Sequence, residues 1–108
     1  MRLTEERAGR TEALFREVNE QVRRLADTND QSQSGADFIC ECSQDTCMER
    51  VHIPLATYEA VRGHPRRFII LPGHESDFEH VVERDDSFLI VEKEGAAARV
   101  AEHSDPRS

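Results

Sequence analysis

All the cysteines of the chain, Cys40, Cys42 and Cys47, fall within eight residues in the spacing C-x-C-x4-C. Three thiols cannot all pair off internally, and a bridge between Cys40 and Cys42 would close a tight ring that disulfide geometry resists. A secreted disulfide framework spreads its cysteines to staple distant segments. Here they crowd into one segment, which marks them as a ligand set. In an extended chain residues i and i+2 lie on the same side, so Cys40 and Cys42 present sulfur to one point. The polar run Ser43-Gln44-Asp45-Thr46 then turns the chain so that Cys47 returns to it. Tetrahedral zinc asks for four thiolate or imidazole ligands at about 2.0–2.3 Å. An iron–sulfur cluster usually demands a fourth cysteine, and calcium and magnesium want oxygen. Zn²⁺ is therefore the expected cofactor. The competing readings are three small thiols that merely fill a core and a thiol redox switch.

The fourth ligand is open at this level. His74 follows the Pro72-Gly73 turn at the end of an apolar run, a rigidly aimed and accessible place. His52, five residues past Cys47, could close the site locally. It lies between Val51 and Ile53, however, and faces solvent if those two are core. His80, a carboxylate or a water are the remaining candidates. His64 and His103 read as surface residues.

The segments around this cluster imply an α+β fold with an N-terminal amphipathic helix, then a small mostly antiparallel sheet with one or two short helices. A helix is expected from Thr4 to Ala26, with Ala8, Leu14, Phe15, Val18, Val22 and Leu25 as its apolar stripe. Glu5, Glu6, Glu12, Glu17 and Glu20 are expected mainly on its solvated face. The stripe suits either packing on the chain's own domain or pairing with a partner helix or a second copy. Residues 27–36 contain almost nothing apolar and read as a flexible linker. Strands are expected at Phe38-Ile39, Val51 to Ile53, Phe68 to Leu71, Phe78 to Glu83 and Ser87 to Lys93, with helices at Leu55 to Gly63 and Ala96 to Glu102. The division is thus a helix over 1–26, a linker over 27–36, a zinc-stabilised domain over 37–103, and a disordered tail over 104–108.

With 108 residues, 14 Lys and Arg against 22 Asp and Glu, and a net charge of −8, the chain is a poor partner for nucleic acid or an anionic membrane. No apolar run approaches the roughly 20 residues of a membrane span. The opening MRLTEERAGRTE lacks the apolar stretch of a secretory signal, so a cytoplasmic location is expected. The chain contains no His-Glu-x-x-His, Pro-Cys-x-x-Cys, nucleophile elbow, phosphate loop or dinucleotide fingerprint. It is accordingly read as a non-enzyme. Arg62, His64, Arg66 and Arg67 form a local basic run that either balances nearby acids or docks a carboxylate or phosphate. Glu79, Glu83, Asp85 and Asp86 suggest an acidic hairpin edge.

The spacing Cys40-x-Cys42-x4-Cys47 is similar to the zinc-binding tail of SET methyltransferases, where the fourth ligand comes from elsewhere in the fold. That likeness covers eight residues and implies coordination, not activity. More broadly the chain resembles small bacterial, chiefly actinobacterial, proteins of unknown function. The residues that carry this likeness are Ala13 to Glu20, Phe38-Ile39-Cys40-Glu41-Cys42, Cys47 with Glu49-Arg50-Val51, Tyr58 to Arg62, Arg67-Phe68, Pro72-Gly73-His74-Glu75 and Val91-Glu92-Lys93. The resemblance implies Cys40, Cys42, Cys47 and His74 as a metal set, and His52 is not part of it. The expected function is a zinc-stabilised module that binds a protein partner through its N-terminal helix, or forms a homodimer. The alternatives are a sensor that releases zinc on oxidation and, third, an enzyme with an open zinc site.

Overall fold

The apolar runs and the Pro and Gly residues that interrupt them become two short antiparallel sheets and three helices. The computed structural model describes residues 5–28, 35–44 and 46–107. Its elements are α1 (Glu5–Thr28), β1 (Ala36–Ile39), β2 (Arg50–Ile53), α2 (Leu55–Arg62), β3 (Arg67–Ile70), β4 (Glu79–Arg84), β5 (Leu89–Lys93) and α3 (Gly95–His103). The fold is α+β. Most of the expected linker lies outside the described residues, although Ala36 already belongs to β1.

β1 pairs with β2, Phe38 opposite Val51, and the second sheet runs β3-β5-β4 with β5 central. Strand alternation puts Val51 and Ile53 inward and Arg50 and His52 outward. The central position of β5 buries Leu89, Ile90 and Val91, whereas the edge strand β4 stays largely exposed and bulges between Val81 and Glu83. Phe38 stacks on Tyr58 of α2 with ring centroids 4.2 Å apart. Beyond β1 the Glu41 N–H donates to the Ile69 carbonyl at 2.8 Å, which ties the segment after the first sheet to the second.

α1 packs on its own domain by half of the expected stripe: Ala8 and Phe15 are buried and Val22 packs against the core. Leu14, Val18 and Leu25 are 59%, 41% and 64% exposed. The buried face holds Ala8, Phe15 and Ala26 together with Glu12, Arg16, Asn19 and Glu20. Two glutamates assigned to the solvated face are therefore inside. Burial of such groups is tolerable only when each is paired, and the partners are present. Lys93 is held by both Glu12 and Glu79. Arg16 donates to the carbonyls of Pro65 and Ala101, each at 2.6 Å, and lies 4.6 Å over the Phe68 ring. Glu20 accepts from Arg62 at 2.7 Å.

The C-terminal end corrects another expectation. Residues 104–107 do not trail away: Asp105 is buried against Arg62, and Arg107 donates to Glu20 at 3.0 Å and to Glu59 at 2.7 Å. Residues 104–107 are held because they join a network of buried charges. Of the two readings of the basic run, the pairing fits the balance of nearby acids: Arg62 is buried against Glu20 and Asp105, while Arg66 and Arg67 are bound to Glu102 and Glu92. Glu79 likewise leaves the acidic edge for the interior. Among the described residues no helix is long and apolar enough to cross a membrane.

Candidate metal centre

Each ligand candidate is placed by a local feature of the chain. Cys40 and Cys42 follow directly on β1, before and after Glu41 in the chain. The chain then turns, with the Cys47 N–H donating to the Gln44 carbonyl at 2.9 Å. The expected return of Cys47 is thus realised. His74 comes from the far side of the site, after β3. There Gly73 has φ 92°, a left-handed conformation that glycine adopts without strain, and the His74 N–H closes the turn onto the Leu71 carbonyl at 3.1 Å.

One ligand atom from each of Cys40, Cys42, Cys47 and His74 lies within 4.8 Å of every other. His74 Nδ1 is 3.6 Å from Cys40 Sγ and 3.7 Å from Cys47 Sγ. A tetrahedral zinc with ordinary Zn–S and Zn–N bonds separates sulfur from nitrogen by about 3.5 Å, so these edges already fit the ion. Cys40 and Cys42 are fully buried, and Cys47 and His74 are half-buried, so the site has a dry inner side and an accessible outer one. The three thiols are not bridged.

The thiols are not equivalent. Hydrogen bonding from Cys40 brings the Cys42 thiol down to about 5, and the same pairing, with burial, pushes Cys40 up. Burial also raises Cys47. One thiolate therefore forms readily, and a divalent cation held by these residues would supply the charge that stabilises the other two. The Leu71 N–H also donates to Cys40 Sγ at 3.2 Å, a backbone dipole aimed at the sulfur.

Glu41, between the two inner cysteines, points away from the site and is fully buried. Its Oε1 accepts from the Ile69 N–H at 3.0 Å and its Oε2 from Asn19 Nδ2 at 2.9 Å. Burial pushes its carboxyl up to about 7, against the pull of those hydrogen bonds and of Arg16 and Arg62. The sequence reading passed over both Glu41 and Asn19. Strand alternation could have found Glu41: with cysteines on one side, the residue between them must enter the opposite layer.

The other histidines stand apart from the cluster. His52 is exposed and bound to Asp37 at 2.7 Å. His80 is exposed beside Glu94 at 3.5 Å and Glu92 at 3.8 Å. His64 and His103 are exposed as well.

We compared the chain with family models, with curated proteins and with solved structures. It matches none of them. The functional reading rests on the geometry above.

Proposed function

We propose that Cys40, Cys42, Cys47 and His74 hold one structural zinc ion, and that the chain is a zinc-stapled module that binds a protein partner through the outer face of α1. The observation that carries the metal reading is the convergence of three sulfurs and one imidazole nitrogen within 4.8 Å. Four protein ligands complete a tetrahedral shell and leave no position for a reactive water, which favours a structural over a catalytic ion. The thiols must stay reduced, as they do in the cytoplasm. The binding reading is supported by Leu14, Val18 and Leu25, which lie exposed on one helix at spacings of four and seven residues. A pull-down that compares the full chain with its Leu14→Glu/Leu25→Glu variant tests it. Loss of captured protein with the fold intact supports the reading, and unchanged capture contradicts it. Self-association that disappears in the variant would replace the partner by a second copy.

The half-buried position of Cys47 favours a second reading, zinc release on oxidation. A hydroperoxide would take two electrons from Cys47 and a neighbouring thiolate. A disulfide forms, the O–O bond breaks to give water and an alcohol (a second water from hydrogen peroxide) with two protons taken from solvent, and the metal leaves. Mild peroxide that ejects zinc before it oxidises Met48, which is 76% exposed, supports this reading. Zinc retained after Met48 is oxidised contradicts it.

A further inference from the structure

α1 and α3 touch where Gly9 meets Val100: a Cβ at Gly9 would come within 3.1 Å of Val100 Cβ. Beside this contact the helices frame an open cavity of about 480 Å³. It is lined by Arg10 of α1, by Ala96, Arg99, Val100 and His103 of α3, and by Ser104. The α3 residues recur at intervals of three and four and so share one helix face. The volume falls within the roughly 300–1,000 Å³ of small-molecule sites.

The charge of this cavity runs against that of the chain. In a protein of net charge −8 the lining, among the described residues, contains two arginines and a histidine and no acid. Two acids of the same helices are engaged elsewhere: Glu102 of α3 binds Arg66 and Glu12 of α1 binds Lys93. The side chains of Arg10, Arg99 and His103 make no ion pair or hydrogen bond among the described residues. The Ser104 hydroxyl is committed to the Val100 carbonyl at 2.6 Å, so donors to a ligand come from the cationic side chains. Val100 and Ala96 supply an apolar floor.

We propose that this cavity binds a phosphate monoester, a dianion on a small apolar group. Two guanidinium forks match the two negative charges and the oxygens of a monoester. A carboxylate would leave one fork unmatched. The substituent lies on Ala96 and Val100. The site is independent of the metal centre.

The test is a titration of the full chain as purified, followed by calorimetry or amide shifts at constant ionic strength. The probes are phenyl phosphate, benzoate and a phosphoserine peptide. Phenyl phosphate is expected to saturate the site and to bind more tightly than benzoate and at least as tightly as the peptide. Arg10→Gln and Arg99→Gln should each weaken it about tenfold or more. Arg84→Gln, an equal charge change on the exposed edge strand β4, should shift it by no more than about twofold. Absence of saturation, or an equal loss in R84Q, overturns the site. Benzoate as tight as phenyl phosphate overturns the phosphate, and a tighter peptide overturns the small-molecule occupant.

Discussion

The side-chain amide of Asn19 bonds both backbone groups of Ile39: Nδ2 donates to the carbonyl at 2.8 Å, and Oδ1 accepts from the N–H at 2.8 Å. A residue of α1 thereby occupies the outer edge of β1, where a neighbouring strand would otherwise sit. Ile39 immediately precedes Cys40, and the same Nδ2 reaches Glu41 at 2.9 Å. Helix docking and the aim of the first ligand are one set of hydrogen bonds.

Asn19→Leu should therefore weaken both the fold and the metal site. It leaves a backbone pair and a buried carboxylate short of partners, at a cost of about 3 kcal/mol. Loss of orientation next to a ligand should lower zinc affinity by about tenfold. Urea unfolding and chelator competition measure the two effects. Asn19→Leu with unchanged chelator competition would break the link between helix and site.

Lys93 carries the interior charge of the second sheet, between Glu12 and Glu79. Lys93→Met should destabilise the chain by about 3–5 kcal/mol, because two buried carboxylates lose their cation. Removing the carboxylates as well, in Lys93→Met/Glu12→Leu/Glu79→Leu, should recover most of that loss. Denaturant midpoints at constant m distinguish the two variants.

Burial pushes the Glu79 carboxyl up to about 7 from an ordinary 4.5. The negative charge of Cys42 and Glu75 acts in the same direction, against the hydrogen bonds from Ser76. The native state thus binds this proton more tightly than the unfolded chain. The resulting stability is present below the unfolded value and is lost as pH rises through about 7. Glu79→Gln should make the fall in stability between these limits shallower, leaving the part that Glu41 contributes over the same range, as measured by thermal melts across that window.

What the sequence made legible follows from how local each determinant is. The strands at Phe68 and Leu89 are apolar runs that end at turns, and the metal set declares itself because Cys40, Cys42 and Cys47 are near neighbours. His74 was visible through Pro72 and Gly73, which fix its direction. The buried face of α1 was not. Glu12 finds Lys93 at a separation of 81 residues, and Arg16 finds the Ala101 carbonyl at 85. No periodicity within the helix reports such partners, so the apolar pattern found Ala8, Phe15 and Val22 but also took in Leu14, Val18 and Leu25, which the fold leaves outside. Asp105 was missed for the same reason: its value comes from Arg62, a distant and buried guanidinium.

The histidines separate cleanly by substitution. His74→Ala removes one ligand of four and should weaken zinc binding by at least about tenfold, whereas His52→Ala, at an exposed residue, should leave it unchanged. A competition titration with a coloured chelator measures both.

The central claim is that three sulfurs and one nitrogen of this chain hold a zinc ion. Zinc K-edge absorption of the purified full chain, with metal analysis of the same sample, tests it most directly. The account predicts about one zinc per chain, with three sulfur neighbours near 2.3 Å and one nitrogen near 2.0 Å. A fully folded chain that carries no zinc and takes none up, or a bound zinc with a shell of oxygen, would contradict it.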